Sequence, residues 1–139
     1  MIQNSYRFKS WDGLIQITSK KGTSVRGESI GLKYLPLSDS AAQNRYQKMR
    51  ALRPKLNKNF QPHPKYAVIV SKKVSKSAVT RNRIRRRVYE WIRLNQLKLS
   101  SKHLTLIYIN SESVAKMSYK NLDAELQNIF QKAELLQKL

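Results

Sequence analysis

The apolar residues of the chain follow two periods. Between Asp12 and Lys21, Leu14, Ile15 and Ile17 are spaced for a short helix, and Lys20-Lys21-Gly22 ends it with cations in the last turn and a glycine beyond. Ile30, Leu32 and Tyr34 alternate through Ser29–Leu37, which reads as a strand stopped at Pro36. Tyr66–Val70 is β-rich and apolar at nearly every position, the pattern of an interior strand. From Val79 to Leu97 the period becomes helical: Ile84, Val88, Trp91 and Asn95 share one face, with Ile92 at its edge. Asn82, Arg83, Arg86 and Arg93 point the other way, and Arg85 and Arg87 flank the apolar stripe. Leu104–Ile109 is another β-rich run. Tyr119–Leu136 closes as an amphipathic helix on Tyr119, Leu122, Leu126, Ile129 and Ala133, with Ser118 placed to cap it and Asp123 early in it.

Ser38–Lys65 follows neither period. It carries Asn, Gln, Ser, Pro54, Pro62 and Pro64 among the basic residues Arg45, Lys48, Arg50, Arg53, Lys55 and Lys58. Its centre, Ala41–Leu52, has helical character, and the proline-flanked remainder predicts a loop. The predicted order is helix, strand, insertion, strand, helix, strand, helix. Strands joined through a helix imply a parallel pair, and the first two strands are placed to pair antiparallel as a hairpin. The fold class is α+β: a single-domain α/β sandwich over residues 1–139, in the order α-β-β-α-β-α, with a long basic insertion at about 38–65.

Composition narrows the function. The chain has 139 residues, with 28 Lys+Arg against 8 Asp+Glu and a formal net charge of +20. Such a field attracts polyanions: nucleic acid, acidic membrane or acidic protein. With no cysteine there is no disulfide framework, no thiol nucleophile and no cysteine-ligated zinc. His63 and His103 are the only histidines, too few for a three-histidine metal site. Four glycines form no phosphate-cradling loop, and the longest purely apolar run, Ala67–Val70, is far short of a membrane span. Met1–Trp11 lacks the apolar core of a secretory signal. These features predict a soluble, basic, cytoplasmic protein that engages neither a membrane nor a small-molecule substrate.

The charge is concentrated. Ser71–Lys98 holds ten Lys/Arg and a single acid, Glu90, and five of the arginines lie between Arg81 and Arg87. A lysine-rich loop thus leads into a helix studded with arginine. Guanidinium groups grip phosphate oxygens bidentately, lysine adds point charges, and a helix N-terminus adds unpaired N–H donors. Asn82, between two arginines, can donate to and accept from a ribose or a base edge. A charge run is ordinarily just a solvated helix face. Here the like charges repel with no acid to offset them, a cost that a polyanionic partner would remove. Nucleic acid fits better than an anionic membrane, because the face opposite the arginines is needed for the core.

The stretch Ser71-Lys72-Lys73-Val74-Ser75-Lys76-Ser77-Ala78-Val79-Thr80-Arg81-Asn82-Arg83-Ile84-Arg85-Arg86-Arg87 closely resembles the signature of the protein subunit of bacterial ribonuclease P, in which a Ser-Lys-Lys loop precedes an Arg-Asn-Arg helix. The likeness extends more weakly to Val25-Arg26-Gly27 with its following strand, to Leu104–Ile109 and to the last helix, covering most of Ser10–Leu136 apart from the insertion. It implies an α/β sandwich that binds the catalytic RNA of ribonuclease P and contacts the single-stranded 5′ leader of precursor tRNA. It also implies that the RNA hydrolyses the phosphodiester with Mg²⁺ held mainly by the RNA. Carried over by position, Ser71, Lys72, Lys73, Lys76, Arg81, Asn82, Arg83, Arg85 and Arg86 would contact the RNA subunit, with Arg87 extending the patch. A ribosome-associated RNA-binding protein with no part in tRNA processing is the alternative, and an autonomous nuclease or a membrane-surface protein are further rivals.

The chain departs from the family in two places. The family commonly has two aromatic residues on its first helix to line the leader cleft. This chain offers Ile15 and Ser19, or Leu14 and Thr18 with a one-residue shift. An aromatic on the first strand is matched by Tyr34, or with a shift by Lys33. The insertion is longer than the family's usual connection, and its basic residues suggest either an added RNA-binding arm or a solvated loop. Elsewhere, Trp91 is expected in the core, Trp11 could staple the first helix, and both histidines are expected as surface residues, not bases. Asp12, Glu28 and Glu90 could approach metal near RNA, but no acids are paired in sequence and no metal site is assigned.

Overall fold

A computed structural model describes residues 6–9, 12–53 and 62–137. Helix α1 spans Leu14–Lys21, strands β1 and β2 span Thr23–Val25 and Ile30–Pro36, and helix α2 spans Ser40–Leu52. Strand β3 spans Lys65–Ile69, helix α3 Ala78–Asn95, strand β4 His103–Ile109 and helix α4 Tyr119–Lys132. Short 3-10 segments cover Gln96–Lys98 and Glu112–Ala115. The α+β class and the α-β-β-α-β-α order hold, with two additions: the three-residue strand β1, and α2 inside the insertion.

The sheet order is β1-β2-β4-β3. β4 runs parallel to β3, as a connection through α3 requires, and antiparallel to β2. The hairpin expected between the strands at Ser29–Leu37 and Tyr66–Val70 does not form. β4 lies between them, because it is the strand that can be buried on both faces: Leu104 and Leu106 point to one side, Ile107 and Ile109 to the other, and all are 3% exposed or less. The partner that turns tightly into β2 is β1, with Val25 opposite Leu32.

Each sheet face has its own core. Ile30, Leu32, Tyr66, Val68, Ile107 and Ile109 meet Ile84, Val88, Trp91 and Ile92 of α3 and Leu122, Leu126, Ile129 and Phe130 of α4. Trp91 is fully buried against Phe130 and donates Nε1–H to Asp123 Oδ1 at 2.7 Å, so its polar edge is satisfied inside the apolar layer. On the opposite face Leu35 and Leu104 meet Leu14 of α1 and Ala42 and Tyr46 of α2. Half of the insertion is therefore core-forming helix. Asp39 caps α2 by accepting from the Ala41 amide, and Arg45 Nε donates to the Asp12 carbonyl at 2.7 Å, tying α2 to the start of α1. Lys55 and Lys58, and Trp11 with its expected staple, lie outside the described residues.

Three helix ends fall short of the periodicity: α3 gives way at Gln96 to the 3-10 segment, and the other two stop for local reasons. Asp12 is not in α1: Gly13 is the N-cap, and Asp12 just before it satisfies the first helical amide, its carboxylate accepting from the Leu14 and Lys9 amides at 2.9 Å. α4 stops at Lys132, not Leu136. Glu134 takes φ 59°, and the Leu135 amide then donates back to the Phe130 carbonyl, a left-handed C-terminal cap.

Candidate nucleic-acid interface

The loop between β3 and α3 is folded on itself. The Val74 and Ser75 amides donate to the Ser71 carbonyl, and Ser75, buried, donates Oγ–H to Glu112. Ser77 caps α3 by accepting from the Thr80 amide at 3.2 Å. The apolar stripe Ile84-Val88-Trp91 fixes the rotation of α3 against the sheet. That rotation decides which basic groups reach solvent.

Seven of the ten residues singled out for RNA contact lie exposed, on the loop before α3 and on its first turns: Ser71, Lys72, Lys73, Lys76, Asn82, Arg83 and Arg86. The other three, Arg81, Arg85 and Arg87, are half-buried and directed into the protein. Arg81 donates to the Ser75 carbonyl at 2.9 Å and so staples the lysine loop to α3. Arg85 donates to Asn82 Oδ1 and, at 3.4 Å, to the Val70 carbonyl. Arg87 donates from its two terminal nitrogens to the Val114 and Met117 carbonyls at 2.6 and 2.5 Å, holding the segment that precedes α4. The arginine run is therefore divided. Some guanidinium groups build the surface, and others are left on it. Spacing alone does not separate them, because the acceptors are placed by the fold: the Ser75 and Val70 carbonyls by the loop before α3, and the Val114 and Met117 carbonyls by a segment far along the chain.

The acids explain why the surface charge is uncompensated. Six of the eight are bound to groups of the protein: Asp12 and Asp39 at helix N-termini, Asp123 to Trp91, Glu125 to the Ser29 amide, Glu112 to Ser75 and Glu90 to Arg93. The Arg93 hydrogen bond holds the Glu90 carboxyl below its ordinary range. Among the described residues no three acids or histidines converge on a point that could hold a metal ion. The protein's own side chains therefore do not fit a Mg²⁺ site there.

Strand register separates the four residues considered for a leader. Lys33 is on the α1 face of the sheet, its stem beside Gly22. Tyr34 is on the opposite face, packed against the larger core and edge-on to His103 at 5.7 Å. On α1, Leu14 and Thr18 are buried, while Ile15 and Ser19 are half-exposed. Lys33 shares a cavity of about 430 Å³ with Arg26, Gly31, Tyr108 and Asn110. Tyr108 is an aromatic that sequence reasoning missed. The signal was present in the alternation of β4, which puts Tyr108 on the face of Leu104 and Leu106, but only the pairing of Gly31 with Tyr108 brings it beside Lys33.

The histidines are half-buried. His103 Nδ1 lies 2.6 Å from Ser100 Oγ, and His63 stacks obliquely on Tyr6 at 4.5 Å. Burial first, and Lys102 and Lys65 second, lower their pKa values from the ordinary 6.5. No helix among the described residues is long and apolar enough to cross a membrane.

Comparison with known proteins fits this arrangement. A family model described as Ribonuclease P matches residues 2–134. The ribonuclease P protein component of a Pseudanabaena species is 38% identical over 138 residues, covering 98% of this chain and 97% of that protein. The component from Fusobacterium nucleatum is 32% identical over 83 residues, 58% of this chain and 74% of its own length. In fold, the chain is similar to the RNase P protein of Staphylococcus aureus, with a TM-score of 0.66 at 19% identity over 95% of this chain and 98% of that one. It is similar also to that of Thermotoga maritima, with a TM-score of 0.63 at 15% identity over 91% and 96%. These likenesses do not favour the ribosome-associated alternative. The chain belongs to the ribonuclease P protein family, and its role is that of the accessory protein subunit of a tRNA-processing endoribonuclease.

Proposed function

We propose that the exposed surface formed by Ser71, Lys72, Lys73, Lys76, Asn82, Arg83 and Arg86 docks the phosphate backbone of the ribonuclease P RNA, and that the sheet face beside α1 receives the 5′ leader of precursor tRNA. The observation that carries the docking is the division of the arginine run: Arg81 and Arg87 fix the loop and the α4 approach, so that Arg83 and Arg86 stand outward on a rigid frame. A preorganised surface loses little side-chain and loop entropy on binding. Counterions released from the RNA then supply much of the affinity.

For the leader, Lys33 and Tyr108 offer a cation and an aromatic in one cavity, whereas Tyr34 faces the core. Ile15 and Ser19 flank the same sheet face on α1 but do not line that cavity. Phosphodiester hydrolysis is left to Mg²⁺ held by the RNA. The protein's residues bind and orient the polyanions.

Cleavage of a 5′-extended precursor tRNA at low Mg²⁺ tests this reading. It is run with the protein, with a bacterial ribonuclease P RNA, and with both. Stimulation only in the mixture, lost in Arg83→Ala/Arg86→Ala, is expected. Cleavage by the protein alone, or full stimulation by the folded double variant, overturns it.

A further inference from the structure

A cation reads phosphate, and phosphate alone does not distinguish RNA from DNA. Among the seven docking residues Asn82 is the only amide, exposed between Arg81 and Arg83 near the start of α3. A side-chain amide on an open helix face turns between its carbonyl and NH2 edges, because its terminal torsion is broad and nearly two-fold. Asn82 is pinned instead. Arg85, one turn on, donates from one terminal nitrogen to Asn82 Oδ1 at 3.0 Å. Its other terminal nitrogen reaches the Val70 carbonyl, just past β3, at 3.4 Å. A guanidinium has donors only, so the edge turned toward it is the carbonyl. Asn82 makes no other side-chain hydrogen bond among the described residues, and the edge it leaves to solvent is the pair of N–H donors.

Both terminal nitrogens of Arg85 are thus engaged within the protein, and its guanidinium is half-buried. Arg83 and Arg86, beside Asn82 on the exposed face, are the groups left for phosphates. Next to each phosphate of an RNA strand lies a ribose 2′ hydroxyl, an acceptor that DNA lacks. We infer that Arg85 is a positioning residue, not a phosphate contact: it presents the N–H edge of Asn82 to a ribose 2′ oxygen of the RNA partner, and so makes Asn82 the residue by which this surface distinguishes RNA from DNA. The inference rests on the RNA-docking reading. It gives separate work to an arginine that neither staples the lysine loop nor stands outward.

The test uses the full chain and an in vitro transcribed ribonuclease P RNA, with Kd measured across a series of salt concentrations. Asn82→Ala is expected to weaken binding roughly 2- to 12-fold, the range for one net hydrogen bond. The slope of log Kd against log salt stays unchanged, because a hydroxyl contact releases no counterion. Arg85→Ala is expected to weaken binding by no more than that, and Asn82→Ala/Arg85→Ala to bind as Asn82→Ala does. A phosphate contact by Arg85 predicts a further loss in the double variant and a slope lower by roughly 0.7–0.9. A merely structural Arg85 also predicts the further loss, and either result overturns the positioning role. A second arm uses transcripts with sparse 2′-deoxy substitution. At one position or more, the substitution should weaken binding of the parent but not of Asn82→Ala; if no position behaves so, the ribose assignment is overturned. Far-UV circular dichroism and the urea midpoint establish that each variant is folded. Parental affinity in Asn82→Ala overturns the inference while leaving the docking surface intact. If Arg83→Ala/Arg86→Ala changes neither affinity nor slope, the docking reading fails and the inference falls with it.

Discussion

Arg86 and Arg87 are neighbours in sequence, and the structure assigns them opposite work. Arg86 is exposed, while Arg87 spends its guanidinium on the Val114 and Met117 carbonyls. Hydrogen bonds to a charged group contribute about 1.5–3 kcal/mol each, and water can replace part of what is lost. Arg87→Ala should therefore cost about 2–4 kcal/mol, a large share of the roughly 5–15 kcal/mol that holds a domain folded. At an m-value of about 2 kcal/mol/M, the urea midpoint falls by about 1–2 M. Arg86→Ala touches no such contact and should stay within about 0.5 kcal/mol of the parent. RNA binding reverses the order. Each lost phosphate contact lowers the salt slope by roughly 0.7–0.9, so Arg86→Ala flattens the plot, and Arg87→Ala, measured where it is fully folded, changes it less. Equal urea midpoints for the two variants, or a larger loss of slope in Arg87→Ala, would refute the division of the arginine run.

Other perturbations probe the remaining links. Gly13 has φ 71°, and a Cβ there would lie 2.5 Å from the Arg45 guanidinium that ties α2 to Asp12, so Gly13→Ala should cost about 1–3 kcal/mol and raise the protease sensitivity of α2; parental stability would count against the α1–α2 tie. Both histidines have folded pKa values below 6.5, so the unfolded chain takes up protons first as pH falls. Stability from this source is fully present above 6.5 and declines as pH drops from there toward the lowered folded values. Denaturant titrations from pH 7.5 to 5 should show that decline, reduced in His63→Gln/His103→Gln; an identical decline in the double variant would assign it elsewhere. Lys33→Ala should weaken binding of leader-bearing precursor by the reconstituted particle but not of leaderless tRNA, while Tyr34→Phe leaves both unchanged. Equal losses for the two tRNAs would remove Lys33 from the leader face.

Much of this molecule was legible before folding, and the reason is periodicity. The stripe Ile84-Val88-Trp91-Asn95 identified α3 and the side that faces the sheet, and the uncompensated Lys/Arg run identified a polyanion partner and the family. Both signals are local in sequence, so no long-range pairing was needed to read them. Three things depended on the tertiary structure. Strand order was one: the interior place of β4 follows from burial on both faces, which competes across the whole sheet, so the expected hairpin gave way. The insertion was another, since α2 gains its stability by placing Ala42 and Tyr46 against Leu14, Leu35 and Leu104, residues remote in sequence. The last was the fate of each arginine. A guanidinium is equally suited to a phosphate and to a backbone carbonyl. Only the fold, by bringing the Ser75, Val114 and Met117 carbonyls within reach, determined that Arg81 and Arg87 build the surface while Arg83 and Arg86 remain on it.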